Sequence, residues 1–427
     1  MRIVIRDVTA VTAGTTIARN VNLLIEESRI SAITKEEPRI DEHTTLIEGK
    51  GKLAIPGLIN AHTHLPMVLF RGLADDLPLS AWLEDHIWPL EKRLRPEDVY
   101  WASLLGLIEM IRSGTTLFAD MYFHIDEIAR AVEKAGIRAV LSYGIIASEF
   151  DAHGKEELDK AAALIDRWHN AAGGRIKTGV SPHAPYSCGE KIWERALALA
   201  ADRRVILHTH VAETEQELRR CRRERGMSPV AWLEQIGALN LPLLAAHCVH
   251  LEKGDIERLA THGVTVAHCP KSNAKLGSGI APIARLRRAG VRVALGTDGA
   301  ASNNGLNMIE EMRAAALLQK AETRDPTVLP AAQVFHMATV EGANALNGEM
   351  GTLAAGKEAD IVLIDIEQAH TLPAYHPLST LIYAVQPQAV TDVIVAGRFL
   401  LRAGSLTTID EEEVKERIKR LKDRYVN

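Results

Sequence analysis

The sequence predicts an α/β protein: a (β/α)8 TIM-like barrel with a small β-sandwich domain built from both chain ends. Three observations carry that prediction. Eight short runs rich in Val, Ile, Leu and Ala follow one another from Leu53 to Ala300, segments of helical periodicity separate them, and short alternating strands broken by turn residues occupy the two ends. An open doubly wound sheet is the competing architecture. No G-x-G-x-x-G or G-x-x-x-x-G-K-S/T follows any of the runs, which removes the usual reason for choosing it.

Residues 1–54 read as the N-terminal part of the small β domain, with alternation of the kind seen in VNLLIEESRISAI. Residues 55–350 read as the barrel. Its strands are expected in LAIPGLINAHTH, TTLFADMY, RAVLSYGII, RIKTGVSPHAP, RVILHTHVAE, LLAAHCVHL, VTVAHCPKSN and VRVALGTDGA. Between them EDVYWASLLGLIEMIRSG and IDEIARAVEKAG have helical periodicity and close with a glycine where a C-cap would sit. Residues 351–427 return to strands (EADIVLIDI, VTDVIVAGRFLL) and end in the charged helix DEEEVKERIKRLKDRYVN.

Composition excludes several partners. A formal net charge of -5 over 427 residues gives no electrostatic reason to expect nucleic acid. The dense basic stretch, Arg219 to Arg225, follows the acidic ETEQEL and suits a solvated helix face. No apolar run approaches a membrane span, the N-terminus lacks the apolar core of a signal peptide, and Cys188, Cys221, Cys248 and Cys269 form no C-x-x-C pair. A cytoplasmic protein with free thiols is expected.

In such a barrel, chemistry belongs to the C-terminal ends of the strands. The unusual polar residues gather there: His62 and His64 after the first strand, His183 after the fourth, His208, His210 and Glu213 around the fifth, His247 and His250 after the sixth, His268 after the seventh and Asp298 after the eighth. His62 and His64 alternate in a strand, so both imidazoles leave the backbone on one face and can meet one ion. For His208, His250 and His268 an ordinary hydrogen-bonded structural role stands equally open.

The expected metal ligands are His62, His64, His210 and Asp298. Imidazole and carboxylate donors without cysteine suit one Zn²⁺ per subunit, with Fe²⁺ possible, and leave room for a water whose pKa the ion lowers from 15.7 towards about 7. Glu213, three residues after His210, is the expected general acid/base. His247 is expected to orient the attacking water and stabilise the tetrahedral intermediate, and Asp298 to pass a proton to the leaving group.

PGLINAHTH, HTHVAET, AAHCVHL, AHCPKSN, LGTDGAASNN and GTLAAGKEADIVLID together resemble successive signatures of the amidohydrolase superfamily over nearly the whole chain. The fourth strand, VSPHAPYSC, holds His183 and no lysine, which sets it apart from the two-metal members that bridge their ions with a carboxylated lysine. The resemblance is strongest to the 5'-methylthioadenosine/S-adenosylhomocysteine deaminases. It implies hydrolytic deamination of an adenine nucleoside to the inosine analogue and ammonia, with attack at C6 and Glu213 protonating N1.

By the same resemblance, RGLADDLPLSAWLEDHIWPLE is the substrate loop, in which Glu91 binds the ribose hydroxyls and Trp82 packs on the ligand, while His183 hydrogen-bonds the purine. Read without the resemblance, Trp82 is equally an ordinary packing residue of an amphipathic helix. The family's arginine near the third strand has no counterpart in YGIIASEFDAHGKEE, where Lys155 is the substitute, and this ranks S-adenosylhomocysteine behind methylthioadenosine and adenosine. The alternatives are a guanine, cytosine or s-triazine aminohydrolase or chlorohydrolase with the same metal centre, or a non-catalytic scaffold. A homo-oligomer is expected, since barrels of this kind often associate.

Overall fold

The computed structural model describes residues 2–426. Eight parallel strands form the barrel: β1 (Leu58–Thr63), β2 (Thr115–Tyr122), β3 (Arg138–Ile145), β4 (Ile176–Pro182), β5 (Ile206–Val211), β6 (Leu243–His247), β7 (Thr265–His268) and β8 (Arg292–Leu295). Each pairs with its neighbour in sequence, and helices cover the outside. The strands are buried almost throughout, as their near-continuous apolar runs require. Polar side chains close the seam between β8 and β1. The Asn60 carboxamide accepts from Thr297 N at 3.0 Å and donates to Thr297 Oγ1 at 2.7 Å, and Asp298 N donates to His62 O at 2.9 Å.

The run that opens LAIPGLINAHTH is two strands, not one. Lys52–Pro56 belongs to a second sheet and Leu58–Thr63 to the barrel. Pro56 has no N–H for a continuing ladder. Gly57 is forced by packing: a Cβ there would fall 1.9 Å from Thr116 Oγ1.

The second sheet is mixed, with nine strands from both chain ends. The N-terminal strands Arg2–Val11, Ile17–Glu26, Arg29–Thr34 and Thr44–Glu48 meet the C-terminal Ile361–Asp365, Val390–Val395, Arg398–Arg402 and Ser405–Leu406 through Lys52–Pro56. The sheet has its own core, including Ile3, Ile5, Leu23, Ile361 and Ile394, apart from the large core under the helices.

Local signals set the helix ends. The helix Ile125–Ala135 buries Ile128, Val132 and Ala135 on one face and stops at Gly136, whose φ of 83° is the left-handed C-cap conformation. The helix Glu215–Arg225 starts at Thr214, whose hydroxyl accepts from Glu217 N at 3.1 Å. Arg219 and Arg222 face solvent and pair with acids, Glu215 and Glu252, each at 2.7 Å, while Arg225 is half-buried against the Trp232 ring and donates to Pro185 O at 2.9 Å. The four cysteines are buried and free, and among the described residues no helix is long and apolar enough to cross a membrane.

Candidate active site

The strand ends bring the polar residues together. His62 and His64 leave β1 on the same face with ring centroids 4.9 Å apart, and His210 arrives from β5 with its Nε2 3.2 Å from His64 Nε2. Asp298, just past β8, places Oδ1 3.5 Å from His62 Nε2 and 3.3 Å from His64 Nε2. The ligand atoms of His62, His64 and His210 lie within 4.8 Å of one another, as do those of His62, His247 and Asp298.

Partners behind the cluster hold each ring. His64 Nδ1 meets Met121 O at 2.6 Å and His210 Nδ1 meets His183 O at 2.7 Å, so each donates from Nδ1 and turns its Nε2 inward. His62 Nδ1 meets His208 Nε2 at 2.7 Å. Asp298 accepts from Ser272 Oγ at 2.6 Å, Ser302 Oγ at 2.9 Å and Gly299 N at 2.8 Å. Its backbone, at φ 61°, is left-handed, as is that of His247 at φ 76°, a conformation unfavourable for branched and bulky residues and one that packing imposes here.

The electrostatics favour positive charge beside Asp298. Burial pushes His62 down to about 4, and its Nε2 is buried with no hydrogen-bond partner. Burial disfavours the charged forms of His64 and Asp298 too, but their mutual hydrogen bond and attraction win, raising the imidazole to about 9 and holding the carboxyl well below its ordinary range. Burial and the surrounding imidazoles drive His210 well below its usual value. Three inward Nε2 atoms and one carboxylate oxygen are a donor set that fits a divalent ion preferring N/O ligands.

One cavity collects the rest. His64, His210, His247, Asp298, Glu213, His183, Glu91 and Trp82 all line it, and His62 lies beneath them, fully buried. Glu213 Oε2 is 3.8 Å from His247 Nε2, and burial raises its carboxyl above the ordinary range, with His247 countering. His247 Nδ1 meets Asn273 Oδ1 at 2.8 Å. His183 Nδ1 meets Ser187 Oγ at 2.8 Å, and burial together with the His64 and His62 imidazoles lowers it to about 3, leaving a neutral ring. Glu91 ends the helical stretch Leu79–Glu91. Burial lifts it to about 7 against the pull of Tyr122 and His64, and its Oε1 is buried without a partner. Trp82, on the same stretch, is buried and forms part of the wall, so packing and lining are one role.

Three remaining candidates stand apart from the cavity. Lys155 is exposed near the start of the helix Ala152–Trp168 and does not line the cavity, so it offers no charge there. His250 points away, its Nε2 on Ser278 O at 2.7 Å, and His268 is buried with neither ring nitrogen bonded; both lie outside the cavity wall.

Several contributors escaped the sequence reading. Glu217 accepts from Ala212 N at 2.9 Å and Glu213 N at 2.8 Å, fixing the turn that carries Glu213. Asp120 accepts from Leu65 N at 2.7 Å, fixing the turn after His64. Tyr122, Tyr186 and Trp88 add aromatic wall. The available signal was position: Asp120 and Tyr122 end a barrel strand, and Asn273 follows the seventh.

Comparison with known proteins gives the chain's relatives. Residues 53–400 match the amidohydrolase family. The chain is 48% identical over 398 residues to a 5'-deoxyadenosine deaminase of Methanothermobacter thermautotrophicus, covering 93% of each protein. It is 46% identical to a 5-methylthioadenosine/S-adenosylhomocysteine deaminase of Desulforudis audaxviator, covering 100% of this chain and 99% of the relative. Among solved structures, an adenosine deaminase from Xanthomonas campestris with bound zinc superimposes with a TM-score of 0.95 at 36% identity, covering 99% of this chain and 98% of that one.

Proposed function

Because the chain belongs to the amidohydrolase family and, within it, to the 5-methylthioadenosine/S-adenosylhomocysteine deaminases, we propose that it hydrolyses the 6-amino group of an adenine nucleoside whose 5' substituent is small and uncharged, releasing ammonia and the inosine analogue. The observation that carries the substrate class is Glu91: a buried carboxyl oxygen without a partner, in the same cavity as the histidine cluster, is an acceptor suited to a ribose diol. Among the described residues the lining of that cavity contains no lysine or arginine, and Arg220 lines only the adjoining cavity that shares Leu83 and Trp88 with it, which supports 5'-deoxyadenosine and methylthioadenosine over the zwitterionic tail of S-adenosylhomocysteine.

In this reading His62, His64, His210 and Asp298 hold one zinc ion. When bound, the ion supplies the positive charge that makes water a nucleophile near neutral pH. Glu213, whose basicity burial raises, takes a proton from the attacking water and delivers it to purine N1 as C6 becomes tetrahedral. His247, steadied by Asn273, hydrogen-bonds the attacking oxygen and the new oxyanion. Asp298 takes the remaining proton of the attacking oxygen and passes it to the departing amine, the C6–N bond breaks, ammonia leaves and the carbonyl forms. His183, neutral and tied to Ser187, meets the purine edge, and Trp82 closes the wall beside it.

In the same proposal residues 55–350 carry the chemistry, residues 1–54 and 351–427 form the supporting domain, and the enzyme works as a cytoplasmic homo-oligomer. The test is ammonia release by the zinc-quantified protein from 5'-deoxyadenosine, methylthioadenosine, adenosine, S-adenosylhomocysteine, adenine and guanine. The expected order of kcat/KM puts the first two highest, with S-adenosylhomocysteine slower and the free bases inert. Turnover confined to free bases would overturn the role of Glu91.

A further inference from the structure

A second cavity, of about 580 Å³, opens at the other end of the barrel, where the strands begin. It shares no lining residue with the catalytic cavity. Its walls come from the starts of β2, β3 and β4, the loop 346–350, and the second sheet. Five cations face it: Arg29, Arg138, Arg175, Lys177 and Arg398.

Two of the five are balanced. Arg138 Nε meets Asp360 at 2.8 Å and its Nη2 meets Glu358 at 2.7 Å, while Arg29 meets Glu358 at 3.0 Å and Glu349 at 3.3 Å. The other three have no ion-pair partner among the described residues. Lys177 Nζ is held by the neutral Asn170 Oδ1. Arg175 has its Nε buried without a hydrogen bond, and it feels Arg398 and Arg138 as like charges, with Glu133 the weaker offset. Arg398 begins a strand of the second sheet with its side chain exposed at the rim.

Like charges crowded into a partly desolvated cavity repel, and an anion relieves that repulsion. Guanidinium groups match the paired oxygens of a phosphate, and the volume falls in the range of roughly 300–1,000 Å³ typical of small-molecule sites. We infer that this cavity binds a small phosphorylated metabolite, its phosphate oxygens forked by Arg175 and Arg398 and further neutralised by Lys177. Since its walls belong to both the barrel and the second sheet, an occupant ties the two together and stabilises the fold.

The experiment is thermal unfolding of the zinc-loaded, full-length enzyme titrated with inorganic phosphate, ribose 5-phosphate and fructose 1,6-bisphosphate, against ribose and chloride at matched ionic strength. The expected result is a saturable rise in Tm for the phosphorylated compounds alone, largest for the bisphosphate. R398A should weaken the apparent affinity roughly tenfold, the loss of one charge-assisted contact pair, and leave deaminase kcat/KM unchanged without added anion. R175A should do the same, and if it does not fold, the exposed Arg398 carries the test with K177A. A rise reproduced by chloride, a rise equal in R398A, or no saturation at millimolar concentration would each overturn the inference.

Discussion

Nδ1 of His62 lies 2.7 Å from Nε2 of His208, with both rings buried. For His62 to present its Nε2 lone pair to an ion, its proton must sit on Nδ1, so His208 accepts at Nε2 and carries its own proton on Nδ1. That outer nitrogen has no partner. H208A should therefore weaken zinc binding about 10- to 100-fold, read by competition with a chromophoric chelator, and H208Q, which can present an acceptor at a similar reach, should recover part of the loss. Unchanged affinity in H208A would make His208 a packing residue only.

Glu213 is near enough to His247 to share the reacting atoms with it, at 3.8 Å, and does not belong to the proposed ligand set. E213Q should keep its zinc content and lose about 10²–10⁴-fold in kcat. Metal analysis alongside single-turnover kinetics checks both halves, and a variant that retains most of its turnover would remove Glu213 from the mechanism.

Glu91 should act through the ribose diol. E91A should lower kcat/KM for methylthioadenosine by roughly tenfold to a hundredfold, the value of one or two hydrogen bonds to a charged acceptor. The loss should be shared with the substrate: 2',3'-dideoxyadenosine should be poor for the wild type and scarcely poorer for E91A. Additive losses would mean that Glu91 shapes the cavity without touching the diol.

Glu311 provides a pH test away from the cluster. It is fully buried, accepts from Asn303 Nδ2 at 2.6 Å and Lys271 N at 3.3 Å, and burial raises it from 4.5 to about 8, with Lys271 opposing. Between those values the native protein holds a proton that the unfolded chain has released. Stability contributed by the neutral form is therefore present at low pH, declines as pH rises through that window and is gone above about 8. E311Q, neutral at every pH, should unfold at a Tm that exceeds the wild type's by a margin growing across the same interval. A constant difference would show that Glu311 stays ionised.

Much of the site was legible because a barrel turns sequence position into spatial position. Residues at the C-terminal ends of eight strands converge, so the H-x-H pair, Glu213, His247 and Asp298 could be named from their place after apolar runs. Alternation could not separate His208 from His210. Both leave β5 on one face, and what differs is depth along the strand: His208 sits one pleat lower and meets His62, while His210 reaches the cavity. The break within LAIPGLINAHTH was hidden because its cause, Thr116, arrives from the next strand. Glu217 and Asn273 were missed for a related reason: they serve the site through backbone and ring partners that only folding brings near.

The seam of the barrel bears on how the chain matures. Asp298 N bonds to His62 O, so the last donor of the cluster is delivered by the same contact that joins the final strand to the first. A nascent chain still lacking β8 would carry all three imidazoles without the carboxylate that balances them. With the proposed ligand set, a bound ion would therefore favour the closed ring of strands over a chain that lacks the last of them.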